Sequence, residues 1–159
     1  MAAKRGPGFW VLISVALFLN TMMLVGQTGA LINYEFSVSI GLQESTEEVT
    51  EVGVAWAKGF AFGDTLVYLP LFIMGIVGLL KRQPWGMYSM FGALAITAYW
   101  SLVSLYAFLS GLDAMNLGPG KYIFFSIGLP LIAAYGLWGM VFLFKNRTRF
   151  LKEEVETKG

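Results

Sequence analysis

No cysteine and no histidine occur anywhere in the 159 residues of this chain. Those two absences remove disulfide-exchange chemistry, haem held by His or Cys, Cys/His zinc sites and every Ser-His-Asp or Cys-His nucleophile. Charge is scarce as well, with 13% of residues Asp, Glu, Lys or Arg, where an average soluble domain carries roughly 25%. Apolar residues take its place, 57% hydrophobic and 16% aromatic, and a chain so composed belongs in lipid. The net charge is +1. No nucleic-acid partner, metal or cofactor is expected from such a composition.

The apolar residues fall into four segments, residues 9–32, 56–80, 87–112 and 122–144. Each is near the ~20 residues that a helix needs to cross the hydrocarbon core, so the expected fold is all-α, a polytopic bundle of four transmembrane helices with antiparallel neighbours. The first run follows Lys4-Arg5 and ends at Gly26-Gln27-Thr28-Gly29-Ala30, the order of parts in a secretory signal, but it is long for that role and reads as a retained first helix. Lys81-Arg82-Gln83-Pro84-Trp85-Gly86 makes a tight turn between the second and third spans, and Gly118-Pro119-Gly120 breaks the chain before the fourth.

Orientation follows from Lys and Arg near the ends of the spans. Lys4, Arg5, Lys81, Arg82, Lys145, Arg147, Arg149, Lys152 and Lys158 lie on one side, nine of eleven, and Lys58 and Lys121 on the other. Both termini are thus expected in the cytoplasm, with a tail over residues 145–159, in a microbial plasma membrane or an endomembrane. Trp10, Trp85 and Tyr88 mark one interface and Tyr34, Trp56 and Tyr122 the other. The extramembrane loop, residues 33–55, opens on Tyr34-Glu35-Phe36-Ser37-Val38-Ser39-Ile40, which alternates like a short strand. It continues with Ser45-Thr46-Glu47-Glu48, a capping-box pattern that starts the second span early. Glu44, Glu47, Glu48 and Glu51 share a face there and read as a solvated helix start.

The second and fourth spans echo one another. Leu69-Pro70-Leu71 precedes Gly75, Gly78 and Lys81-Arg82; Leu129-Pro130-Leu131 precedes Gly136, Gly139 and Lys145. Parallel repeats give such patterns, as does the general abundance of small residues and proline in membrane helices.

Asp64 is the residue that composition does not explain. An ionised carboxylate at membrane depth costs roughly 2.5–3.5 kcal/mol on insertion scales, so it marks either a functional site or a tertiary hydrogen bond. Gln27 and Thr28, Ser104, Tyr106 and Ser126 lie at comparable depth, and Gln27 is the expected partner. Pro70 and Pro130 cannot donate to the carbonyls of Leu66 and Ser126, so both helices are expected to kink and to open a pocket beside Asp64, lined by Tyr68, Tyr99, Trp100, Tyr106 and Phe124. Gly59 and Gly63 form a GxxxG motif just above Asp64 that would bring the first two helices together.

The stretch Ala55-Trp56-Ala57-Lys58-Gly59-Phe60-Ala61-Phe62-Gly63-Asp64, with Leu66-Val67-Tyr68-Leu69-Pro70-Leu71-Phe72 after it, resembles the second helix of the sigma-2 receptor and its relatives in the EXPERA group. The resemblance implies a four-helix membrane protein that binds sterols or amines, with Asp64 facing a lipophilic pocket and meeting the ligand's cationic or hydroxyl group. The residues from Pro70 to Tyr99 also look like uncharacterised small microbial membrane proteins, which implies no activity.

Three functions remain open at this stage. The first is a non-enzymatic binder of a lipid or lipophilic small molecule, anchored by Asp64. The second is an accessory subunit docking on a larger membrane complex through its glycine-rich faces. The third is a proton-coupled carrier working as a homo-oligomer. Catalysis is not expected, because no second acid or base accompanies Asp64.

Overall fold

The computed structural model describes residues 5–148; Lys4, Arg149, Lys152 and Lys158 lie outside that range. Among the described residues the regular structure is helical throughout. Four helices are long and apolar enough to cross a membrane: α1 (Pro7–Ile32), α3 (Thr46–Leu80), α4 (Pro84–Ser110) and α5 (Pro119–Lys145). A short helix, α2 (Tyr34–Ser39), sits between the first two, and one 3₁₀ turn, Leu112–Ala114, follows α4. The architecture is that of a multi-pass membrane protein.

Local chemistry sets the helix ends. Pro7, Pro84 and Pro119 open α1, α4 and α5 where a missing amide costs nothing. The expected capping box forms at the start of α3, the Glu48 side chain accepting the Ser45 amide at 2.9 Å. At the other end of α3 the Arg82 amide donates to the Leu79 carbonyl and the Gln83 amide to that of Gly78. This pair is a Schellman motif, with Arg82 at φ 56° in the left-handed position usually given to glycine.

The region expected as a strand is helical. Asn33 caps α2 by accepting the Phe36 amide at 3.0 Å, and Tyr34 and Ser37, three apart, turn inward together. That local cap and the burial of one helical face outweigh the two-residue alternation. Tyr34 therefore leaves the interfacial belt: it is buried, and its hydroxyl donates to the Glu44 carbonyl at 2.9 Å.

The long helices run up and down in a bundle. Arg5, ahead of α1, donates to the Leu80 carbonyl at the end of α3. Tyr135 on α5 donates to the Leu12 carbonyl of α1 at 2.7 Å. One end gathers Arg5, Lys81, Arg82, Lys145 and Arg147; the other holds Glu35, Glu44, Glu47, Glu48, Glu51 and Asp113 with Lys58 and Lys121. These are the basic and acidic ends of the bundle.

Packing differs between them. In the half toward the basic end, all four long helices share one core of Phe9, Leu12, Phe72, Leu79, Met90, Leu94 and Leu143. Glycine makes it possible: a Cβ at Gly75 would stand 2.8 Å from the Met90 Cα, one at Gly136 would stand 2.8 Å from the Leu94 carbonyl oxygen, and one at Gly78 would collide with the Gly86 backbone. Toward the acidic end the buried groups pair off. Ala30, Tyr34, Val54 and Ala61 join α1, α2 and α3, whereas Phe108 meets Tyr122 at a tilt and stacks on Phe125 to join α4 and α5.

Candidate functional site: an unpaired carboxylate on a wide turn

Three spans carry a π-helical turn: Leu24–Thr28 in α1, Asp64–Tyr68 in α3 and Phe124–Gly128 in α5. The last two each run directly into Leu-Pro-Leu, which supplies their cause. Proline at 70 or 130 cannot donate, and its ring crowds the carbonyl four residues back. The chain answers by widening the preceding turn, so that the Leu69 amide reaches the Asp64 carbonyl and the Leu129 amide that of Phe124, each five residues back. At both prolines the local disturbance takes the form of a wide turn, with the flanking residues near helical dihedrals. Turns of this kind recur at functional sites because they present side chains and carbonyls that a regular helix hides. The repeat between α3 and α5 is closer here than in sequence, since wide turn and proline keep the same spacing in both.

Asp64 opens the wide turn of α3 and is half-buried, on the same side of the helix as Tyr68 four residues on. Among the described residues no hydrogen bond or ion pair reaches its carboxylate. Gln27 does not pair with it: the Gln27 Oε1 accepts from Gln43 at 3.3 Å, and Gln43 also donates to the Gly26 carbonyl at 3.3 Å. Gln43 is buried in the loop after α2 and holds the oxygen of the Gln27 amide, while the Gln27 amide nitrogen makes no hydrogen bond to Asp64. The bond between α1 and α3 at this depth is made by hydroxyls instead, Thr28 to Thr65 at 3.0 Å.

One turn deeper lies the polar centre of the bundle. Tyr68 is 1% exposed and its hydroxyl meets that of Thr97 on α4 at 2.7 Å; Thr97 in turn donates to the Ala93 carbonyl at 2.8 Å. The Trp100 indole approaches the same tyrosine hydroxyl, yet its buried N–H makes no hydrogen bond of ordinary geometry. Ser101, fully buried on the inward face of α4, also lacks a partner for its hydroxyl. Ser104 follows one turn on, half-buried on the same face. Buried donors are rarely left unpaired, and each such omission calls for an explanation. Trp100 and Ser101 of α4 are thus two buried hydrogen-bonding groups without partners, each within one turn of the Thr97 that bonds Tyr68, and Asp64 is an unpaired acceptor one turn from Tyr68 on α3.

The other expected members stand apart. Tyr99 and Tyr106 are 69% and 75% exposed on the far side of α4, and Phe124 faces outward from α5 as does Ser126. They lie on the outer surface of the bundle rather than around Asp64. Gly59 and Gly63 also face outward, with open space where a Cβ would stand; the α1–α3 contact is made by Ala61 and Ala30 instead. Four polar residues escaped the sequence reading: Gln43, Thr97, Ser101 and Asn20, whose Oδ1 is buried without a partner in α1. Thr97, Ser101 and Ser104 repeat every three to four residues, a signal that periodicity contains.

At the acidic end, Lys121 of α5 donates to the Glu48 Oε2 at 2.7 Å and to the Gln43 carbonyl at 2.9 Å, and the Asn116 amide reaches the Glu48 carbonyl at 3.2 Å. Burial raises the carboxyl of Glu44 above its ordinary range against the pull of Lys121. No family model, curated protein or solved structure matches this chain.

Proposed function

We propose that this membrane protein is a non-enzymatic binder of a lipophilic ligand, with Asp64 as the polar anchor and Tyr68, Thr97, Trp100 and Ser101 forming the deeper polar wall. The observation that carries this reading is the half-buried Asp64 carboxylate left without a protein partner in the middle of a span. An acid retained as structural glue makes hydrogen bonds across the bundle; a ligand-binding acid keeps its acceptors free. The likeness of the second span to the EXPERA group points the same way, to an amine or hydroxyl on a lipophilic body. The basic end lies in the cytoplasm in this reading, since Arg5, Lys81, Arg82, Lys145 and Arg147 flank the spans there.

The test is thermal stability of the purified protein against long-chain amines, sterols and fatty acids. An amine that meets Asp64 raises the melting temperature at neutral pH and loses that effect at a pH where the carboxylate is protonated. A sterol does so with little pH dependence, because a protonated acid still bonds a hydroxyl. If no lipophile stabilises the protein and a partner protein does, the accessory-subunit reading replaces this one.

A further inference from the structure

Toward the acidic end the apolar contacts fall mainly within two pairs of helices, α1 with α3 and α4 with α5, and Asp64 lies on the bundle-facing side of α3 at the seam between them. The described polar bonds that join the two pairs beyond that level all converge on one short segment. Glu48 accepts Lys121 on its Oε2 and the Asn116 amide on its carbonyl, while Lys121 also holds the Gln43 carbonyl. Gln43 passes the connection to the wide turn of α1 through Gly26 and Gln27. Lys121 and Glu48 are both mostly shielded from solvent, at 21% and 18% side-chain exposure.

The segment that carries Glu48 is set off from the span below it. Thr50 has φ 65° and ψ 170°, a conformation that breaks the helix of α3 between the capping box and the membrane. A threonine with its branched Cβ adopts it only under constraint, and such residues occur at hinges and switch regions. Three features therefore coincide: an ion pair across the seam, a backbone bond beside it, and a strained residue that separates the clasped turn from the rest of α3.

We propose that Lys121 and Glu48 form a clasp that closes the seam between the two helix pairs over Asp64, with Thr50 as the hinge on which the clasped turn swings. Release of Lys121 frees the first turn of α3 and the loop around Gln43 together, opening the seam from the acidic end. This is regulation of access to the proposed binding site and rests on that reading, but the clasp is tested without a ligand.

The chain has no cysteine, so a single introduced thiol is unique. Ser104→Cys, half-buried on the inward face of α4, is exposed to a membrane-impermeant methanethiosulfonate with the protein in nanodiscs. Breaking the clasp with Lys121→Met or Glu48→Gln should speed modification at least fivefold. Oxidising the pair Glu48→Cys and Asn116→Cys, whose backbones are already hydrogen-bonded, should slow it below the rate of the intact clasp. Tyr106→Cys, on the lipid-facing side of α4, should stay slow throughout. Equal rates at position 104 in the broken, intact and cross-linked proteins would overturn the clasp, and so would a parallel rise at position 106, which would mean general loosening. Because no ligand enters these measurements, failure of every lipophile to bind would remove the binder reading and leave the gating result standing.

Discussion

The half of the bundle toward the basic end and the half toward the acidic end are made of the same helices and solve different problems. The first is packed through glycine: Gly75, Gly78 and Gly136 let backbones touch, and a single apolar core spans all four long helices. The second places its glycines outward at Gly59 and Gly63 and holds its helices in two pairs. Between them come the wide turns of α3 and α5 and the unpaired groups Asp64, Trp100 and Ser101. Close packing thus supplies the rigid base, and the looser half carries the polar groups that the protein does not satisfy by itself.

The sharpest way to break that contrast is at glycine. Gly78→Leu should cost more than about 3 kcal/mol, because overpacking of 1–3 kcal/mol is expected where side chains alone must yield and here the obstacle is the Gly86 backbone. Gly63→Ala, placed in open space, should be neutral or stabilise by up to about 1 kcal/mol through helix propensity. Thermal melts in detergent measure both, and equal losses would mean that the two halves pack alike.

Asp64→Leu comes next in size. An unpaired acid in a span is a cost to the empty protein, so its removal should stabilise the ligand-free state by about 1–3 kcal/mol. A loss of stability of that size would mean that Asp64 holds the bundle together. Tyr68→Phe, in contrast, removes a fully buried hydroxyl bond to Thr97 and should destabilise by about 1 kcal/mol, read from the same melts.

A pH effect is also expected at the acidic end. Burial, then the charges of Glu44, Glu35 and Glu48, pushes the Tyr34 phenol up to about 12. Its contribution is complete below the ordinary tyrosine value near 10 and is lost as the pH rises toward 12, because the unfolded chain deprotonates first. Tyr34→Phe should therefore show a smaller fall in melting temperature between pH 10 and 12 than the parent.

Much of this fold was legible because lipid makes strict demands. Four apolar runs gave four helices, and the Ser45–Glu48 spacing gave the early start of α3. What escaped notice depended on competition between distant groups. Gln27 shares the depth of Asp64, but its side chain is oriented by Gln43, which folds back from the loop and donates to its oxygen. Pro70 and Pro130 announce a local disturbance, but that it takes the form of a widened turn is settled by how the upstream carbonyls can be satisfied. Tyr99 and Trp100 are adjacent in sequence and end on different sides of α4, a matter of helical phase that a count of aromatics at one depth ignores.

The central claim, that Asp64 anchors a ligand beside Trp100, is met most directly by fluorescence. With Trp10, Trp56, Trp85 and Trp138 replaced by Phe, Trp100 is the only indole, and a brominated long-chain amine is titrated into the protein against an excess of its unbrominated analogue. The account predicts saturable quenching of Trp100 that the analogue reverses, and an apparent affinity at least tenfold weaker in Asp64→Asn, about 1.4 kcal/mol. Quenching that never saturates, or that is the same with Asn at position 64, would contradict it.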